Sequence, residues 1–163
     1  MNGGQTRSEG GLARLRGGLD RGLLAGFVDG FVDGAGRDRA RVVVGTAAWP
    51  DPGPWLALGE AVVLAVDVRD GLVRSSGWTG HAGLTFEQAL KRAVGARVLV
   101  TAIDRDGTLA GPDLDLVGRA AAAGLRVLAA GGVRSPADVG ELAAAGAEAA
   151  VVGRALLAGD VAP

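Results

Sequence analysis

Acidic side chains stand at the ends of two apolar stretches of the sequence. Asp67 lies inside the run Ala-Val-Asp-Val, and Asp104 and Asp106 follow a second Val-rich run in Asp-Arg-Asp-Gly-Thr. A carboxylate in an apolar run is costly to bury unless it is paired or functional. Positioned carboxylates transfer protons in general acid–base catalysis. The structural alternative is that these acids cap loops, or that Asp67 pairs with Arg69 or Arg74.

Further polar and aromatic candidates lie near the same places. Thr101 closes the second run and is suited to hydrogen-bond a substrate or a carboxylate. Trp78 is suited to stack on a substrate ring, whereas Trp49 and Trp55 lie in a Pro-rich loop and are expected to pack. His81 is the single histidine, so it makes no metal site, and we expect it in solvent.

Two glycine-rich loops of the sequence resemble each other. Gly3-Gly4 precedes a helical pattern and a strand that ends Val44-Gly45-Thr46, and Gly131-Gly132 precedes a helical pattern and a strand that ends Val152-Gly153-Arg154. Backbone N–H groups that bind phosphate need close approach, which glycine permits. The repeat therefore predicts two phosphate sites and a substrate with a phosphate at each end. The alternative is that these glycines only form turns.

The elements that must position these residues alternate between strand and helix. The candidate strands are short and Val-rich, as in a parallel sheet buried on both faces. Helical patterns with N-cap residues and terminal glycines lie between the later ones. The alternation predicts the α/β class with parallel strands. The strand candidates are 41–46, 61–68, 97–103, 126–130 and 149–152, and the helix candidates are 86–94, 114–123 and 136–145.

The first forty residues are interrupted by glycine every few positions. Within 10–36, Phe-Val-Asp-Gly occurs twice in succession, at 27–30 and 31–34. We interpret this segment as a poorly formed helix with a small tandem duplication. A functional loop is the alternative.

Composition limits the classes of function. The 163 residues carry a formal net charge of −1 and are 48% hydrophobic, which fits one soluble domain. Near-neutral charge argues against nucleic-acid binding, and no apolar run reaches the ~20 residues of a membrane span. The absence of cysteine excludes disulfides and thiolate metal sites and suits the cytoplasm.

Together these motifs resemble the isomerases of phosphoribosylformimino-aminoimidazole carboxamide ribotide (HisA) in histidine biosynthesis. Asp-Gly-Thr-Leu-x-Gly-Pro and Val-Gly-Arg-Ala-Leu are the most specific matches, and the sister cyclase differs at both places. The family catalyses an Amadori rearrangement of an aminoaldose to an aminoketose. The matching segments are 42–52, 65–78, 100–116, 128–146 and 149–160.

The resemblance implies roles for individual residues. Asp67 is then the proton donor, while Thr101 and Asp106 position or protonate the substrate. Neither metal nor cofactor is expected, because two positioned carboxylates suffice for the reaction. The implied phosphate ligands form two groups, Gly4, Gly45 and Thr46 in one and Gly131, Gly132, Gly153 and Arg154 in the other.

The sequence also departs from the family. The family's general base is an Asp of the first strand, and no residue here matches it. Because Met1 and Asn2 directly precede the Gly-Gly loop expected after strand three, the resemblance implies an incomplete TIM (βα)₈ barrel, roughly strands four to eight. We divide the sequence into a degenerate Gly-rich segment, 1–40, and a partial barrel, 41–163.

Several functional interpretations remain open at this point. The first is the isomerase, either specific or also acting on phosphoribosylanthranilate. The alternative is an inactive barrel remnant that binds phosphorylated ribosides or needs a complementing N-terminal fragment. Exposed sheet edges also predict self-association. The expected partner is a small phosphoribosyl molecule, with neither nucleic acid nor membrane.

Overall fold

The computed structural model describes the backbone of residues 28–32 and 38–161 and the side chains from Arg41 to Val161. Strands and short helices alternate along most of this part of the chain. The strands are β1 Val28–Val32, β2 Asp38–Val44, β3 Val62–Arg69, β4 Leu72–Ser75, β5 Gly80–Thr85, β6 Arg97–Ala102, β7 Arg126–Ala130 and β8 Ala147–Val151. The helices are α1 Gly53–Leu56, α2 Phe86–Arg92, α3 Leu114–Ala122, α4 Pro136–Ala144 and α5 Arg154–Ala158.

The sheet is mostly parallel. Its order is β1-β2-β3-β6-β7-β8, and β2, β3, β6, β7 and β8 run in the same direction. The edge strand β1 is antiparallel to β2, and β4 and β5 form an antiparallel hairpin on the end of β3. Parallel strands with helices between them confirm the predicted α/β class and the partial barrel.

The two faces of the sheet carry different residues because side chains alternate along a strand. Val62, Leu64, Val66 and Val68 of β3 belong to the main core, against which the helices pack. The intervening position Val63 belongs to a second, smaller cluster on the opposite face. Alternation therefore places the odd-numbered side chains of β3 on the face turned away from the helices.

Local sequence signals explain where the helices begin and end. Thr85 forms a capping box with Gln88 at the start of α2, and Asp113 and Ser135 accept N-cap hydrogen bonds at the starts of α3 and α4. Gly124 and Gly146 follow α3 and α4 with φ of +81° and +100°. These three predicted helices are confirmed to within two residues at their ends.

Two parts of the sequence interpretation were wrong or incomplete. Within 10–36, the described residues Val28–Val32 form a β-strand rather than a poor helix, because they pair with Asp38–Val42 of β2. The rest of that segment lies outside the described residues. The antiparallel strands β4 and β5 were not predicted, although Asp70-Gly71, which joins β3 to β4 with φ of +53° and +70°, is a common hairpin turn signal.

Candidate functional site

Asp67 and Thr101 lie side by side at the carboxyl ends of adjacent parallel strands. They are paired in register between β3 and β6, and Thr101 is paired in turn with Ala130 of β7. Asp67 is half-buried and Thr101 is buried. Carboxyl ends of parallel strands are where (βα) barrels carry their catalytic groups. The structure thus brings two of the three predicted catalytic side chains together.

A short turn between β4 and β5 reaches over Asp67. The indole Nε1 of Trp78 donates a hydrogen bond of 2.9 Å to Oδ2 of Asp67. Ser76, Gly77 and Trp78 all have positive φ, of +51°, +64° and +71°. Two of these three are not glycine, so the turn holds an uncommon conformation to aim the indole at the carboxylate. Trp78, predicted as a stacking residue, therefore contacts a predicted catalytic group directly.

The same turn is attached to a predicted phosphate-binding residue. The hydroxyl Oγ1 of Thr46 accepts a hydrogen bond of 2.8 Å from the backbone N–H of Ser76. Gly45, which precedes Thr46, has no heavy atom within 4 Å of the position that a Cβ would take. Open space beside Gly45 is compatible with a ligand, and Gly4, the third member of this predicted group, lies outside the described residues.

The other predicted phosphate residues line one pocket. Gly131, Gly132, Gly153 and Arg154 surround a cavity of about 220 Å³ that Asp106 also lines. Gly131 and Gly132 have φ of +99° and +84°, and a Cβ on Gly131 would lie 2.6 Å from the carbonyl oxygen of Ala102. Close packing of the backbone therefore requires glycine at positions 131 and 132. Gly153 instead faces open space, so glycine at this position leaves room for a ligand.

Asp106 lies in the loop between β6 and α3, and contacts from both sides hold this loop. It follows a 3₁₀ turn, Ile103–Arg105, and its N–H bonds to the carbonyl oxygen of Ile103 at 3.1 Å. Arg69 forms an ion pair of 2.6 Å with Asp104. Arg154 donates a hydrogen bond of 2.7 Å from Nη1 to the carbonyl oxygen of Gly107. The Asp106 side chain is exposed at the mouth of the pocket.

Sequence reasoning missed Arg69 as part of the site. Arg69 and Arg74 were considered as structural partners of Asp67, but Arg69 pairs with Asp104, and Arg74 lies 3.6 Å from Asp70. The available signal was the strand alternation, since Arg69 stands two residues after Asp67 and so on the same face. Its partner, 35 residues away, carried no sequence signal.

The remaining candidates lie outside this arrangement. Trp49 and Trp55 are buried, at 1% and 5% exposure, which confirms them as packing residues. His81 is exposed, as expected, and contacts Arg74. Among the side chains from Arg41 to Val161, no three of His, Asp or Glu come together in a group that could hold a metal ion.

A separate charged cluster occupies the opposite ends of the strands. Arg97 and Arg126 are the first residues of β6 and β7, and both pair with Glu60. Arg97 also donates to Glu148 at 2.8 Å. Hydrogen bonds from Arg126 and then Arg97 lower the pKa of Glu60 from 4.5 to about 2. This cluster is far along the strands from Asp67, so its contribution is to the fold rather than to the candidate site.

Comparison with known proteins gives consistent relatives. The family described as "Histidine biosynthesis protein" matches residues 34–162. Three relatives are named 1-(5-phosphoribosyl)-5-((5-phosphoribosylamino)methylideneamino)imidazole-4-carboxamide isomerase. The protein of Thermomicrobium roseum is 48% identical over 131 residues, 75% of this chain and 54% of its own length. Those of Pelotomaculum thermopropionicum and Roseiflexus castenholzii are 43% and 38% identical, over 75% and 74% of this chain and 51% and 54% of their own lengths. The chain spans about half the length of these curated relatives.

Proposed function

The chain belongs to the family of histidine biosynthesis proteins, and from that premise we propose that it acts as an aldose–ketose isomerase. The substrate is a bis-phosphorylated ribosyl aminoimidazole carboxamide, and the reaction is an Amadori rearrangement. The ribosylamine ring opens, and a net transfer of a proton from C2 to C1 converts the aminoaldose to an aminoketose. The relatives' names support this substrate class, and the residues at the sheet edge support the chemistry.

One observation carries the proposal. Asp67 and Thr101 are in register on neighbouring strands, and Asp106 follows the second strand at the same edge, facing the glycine pocket. A carboxylic acid at this edge is suited to protonate the ring oxygen as the ring opens. The hydroxyl of Thr101 beside it, and the carboxylate of Asp106 in the loop that follows β6, are suited to hold the sugar while the bond breaks.

The reaction needs a base to remove the proton from C2 as well as an acid to assist ring opening. In the family this base is an Asp of the first strand, for which we found no matching residue in the sequence. For the described residues we therefore propose roles in acid-assisted ring opening and in positioning of the substrate. Asp67 supplies the proton for ring opening, and Thr101 and Asp106 position the opened chain.

The glycine pocket supplies an anchor for one phosphate. Arg154 uses Nη1 to bond the carbonyl oxygen of Gly107, which leaves the other N–H groups of its guanidinium for a phosphoryl oxygen. Gly153 leaves open space beside it. The second phosphate is assigned to Gly4, Gly45 and Thr46, whose hydroxyl still has its own proton to donate.

Turnover of the bis-phosphorylated substrate tests the function. Wild-type protein and Asp67→Asn are compared under identical conditions, with Asp115→Asn, an exposed acid of α3, as the matched control. We expect Asp67→Asn to lose about 10²- to 10⁴-fold in kcat, as for removal of a positioned acid. Asp115→Asn should retain wild-type turnover. Equal rates for wild type and Asp67→Asn would remove the proposal.

The setting of this activity is part of the same proposal. We place the protein in the cytoplasm, acting on a small molecule and not on nucleic acid or membranes, in line with its near-neutral charge. None of the helices within the described residues is long and apolar enough to cross a membrane.

We also propose self-association through a sheet edge. Among the described residues β8 pairs only with β7, and Val151 on it is 51% exposed. An open strand edge of this kind is a template for pairing with another chain. Sedimentation velocity of wild type against Val151→Lys is the test, and a monomer at all concentrations in wild type would contradict it.

A further inference from the structure

We propose that Arg69 is a positioning residue, which holds the loop carrying Asp106 at a fixed place relative to Asp67. The inference rests on the proposed function, because it concerns how Asp106 of that site is held in a fixed position relative to Asp67. No step of the reaction passes through Arg69 itself. Its contribution is to connect the loop that carries Asp106 to the end of the strand that carries Asp67.

The position of Arg69 on β3 makes this possible. Arg69 lies two residues after Asp67, so both side chains project from the same face of the strand. The last register pair between β3 and β6 is Val68 with Ala102, and beyond it the backbones are no longer paired. The ion pair between Arg69 Nε and Asp104 Oδ1, at 2.6 Å, continues the connection beyond the end of the sheet.

Movement of Asp104 is transmitted to Asp106 through a tight turn. Asp104 is the middle residue of the 3₁₀ turn Ile103–Arg105, and the N–H of Asp106 closes this turn on the carbonyl oxygen of Ile103 at 3.1 Å. A short hydrogen-bonded turn has little freedom to change without breaking that bond. Fixing the Asp104 carboxylate therefore fixes the point from which Asp106 emerges.

A second arginine holds the other side of the same segment. Arg154 Nη1 donates to the carbonyl oxygen of Gly107 at 2.7 Å, directly after Asp106. Asp106 thus lies between one contact from the Asp67 strand and one from the proposed phosphate pocket. Arg69 ties it to the reacting end, and Arg154 ties it to the anchoring end.

The energetics separate this role from a structural one. The side chains of Arg69 and Asp104 are 37% and 62% exposed, and ion pairs this exposed contribute little to global stability. Catalysis is more sensitive, since a displacement of about 1 Å at a reacting group can cost about 100-fold in rate. Loss of the pair should therefore reduce turnover and leave unfolding almost unchanged.

The test is a double-mutant cycle on turnover. Arg69→Met, Asp104→Asn and the double variant are compared with wild type, with Arg69→Lys as the conservative variant. Arg119→Met is the matched control, because Arg119 forms exposed ion pairs with Glu87 and Asp115 away from the site. We expect each single variant to lose about tenfold in kcat with KM within about twofold, and the double variant to lose no more than either. Arg69→Lys should recover part of kcat, because it keeps the charge.

The outcomes distinguish the two proposals. If the wild type turns over substrate and Arg69→Met does so at the same rate, the positioning role is overturned and the proposed function stands. Absence of turnover in wild type would overturn the proposed function. Hydrogen exchange of amides 103–108 would then show whether the ion pair between Arg69 and Asp104 holds this segment. Faster exchange there in Arg69→Met than in both wild type and Arg119→Met supports it, and equal exchange removes it.

Discussion

Trp78 donates a hydrogen bond from its indole Nε1 to Oδ2 of Asp67 at 2.9 Å, and a turn with three consecutive positive φ values holds it there. The ring is itself 37% exposed, so burial does not account for its position. This contact orients one carboxylate oxygen, and in the proposed function the other, Oδ1, is left for the substrate. The relationship separates two roles for Trp78, stacking on a ring and orienting the acid.

Trp78→Phe distinguishes these roles, because phenylalanine keeps an aromatic ring and removes the donor. Asp67 becomes a carboxylate as it gives up its proton, and a hydrogen bond to a charged group contributes about 1.5–3 kcal/mol, so we expect kcat to fall at least about tenfold. KM should change less, since the ring remains available for contact. Steady-state kinetics on the bis-phosphorylated substrate is the measurement. Wild-type kcat in Trp78→Phe would show that the indole N–H has no part in turnover.

Two glycines of the proposed phosphate pocket should respond differently to alanine. In Gly131→Ala the new Cβ lies 2.6 Å from the carbonyl oxygen of Ala102 at φ of +99°, so we expect a loss of about 2 kcal/mol or more in unfolding free energy. In Gly153→Ala the Cβ meets no heavy atom within 4 Å, so stability should change by at most about 0.5 kcal/mol.

At Gly153 we expect alanine to weaken phosphate binding rather than stability. Because its Cβ enters the space beside Arg154, Gly153→Ala should weaken binding of inorganic phosphate in calorimetry while its urea midpoint stays near wild type. Unchanged phosphate affinity in this variant would mean that the open space beside Gly153 is not where the anion binds. Gly131→Ala serves as the comparison for a fold effect on the same pocket.

The sequence predicted the elements well where their signals are local. The Val-rich run 126–130 is a strand with the same limits in the structure, and Thr85 and Ser135 begin helices as their N-cap chemistry requires. The apolar runs 61–68 and 97–103 likewise placed Asp67 and Thr101 at the ends of strands. Their register followed only once β3 and β6 were known to be neighbours.

The rest of the site depended on contacts that are remote along the chain. Arg69 with Asp104 and Arg154 with Gly107 join residues 35 and 47 positions apart, and loop geometry decides these partners. The positive φ of Ser76 and Trp78 falls on residues that are not glycine, so the direction of the indole was not predictable. A stacking role for Trp78 was therefore the natural expectation, and the hydrogen bond to Asp67 was not.

Thr46 connects a proposed phosphate site to the turn that carries Trp78. Thr46→Val removes the oxygen that accepts the Ser76 N–H at 2.8 Å, whereas Thr46→Ser keeps it. We expect faster hydrogen exchange at residues 76–79 and weaker substrate binding in Thr46→Val. Thr46→Ser should resemble wild type in both measurements. Equal exchange in the two variants would show that the turn holds its shape without this bond.

Glu60 should make stability depend on pH below the neutral range. Its pKa in the folded protein is about 2, below its usual 4.5, because Arg126 and Arg97 donate hydrogen bonds to the carboxylate. As pH falls below 4.5 the unfolded chain takes up this proton first. The stabilisation is therefore complete above about pH 4.5 and is lost progressively towards pH 2.

Glu60→Gln tests this directly, because glutamine keeps the shape and removes the titrating group. We expect a lower urea midpoint than wild type at pH 7, and a difference that shrinks as the pH is lowered from 4.5 to 2. Glu141→Gln, an exposed acid of α4 that makes no ion pair with the other described residues, is the matched control and should show neither effect. A Glu60→Gln difference that stays constant from pH 7 to pH 2 would mean that the arginines do not stabilise the Glu60 carboxylate in the folded protein.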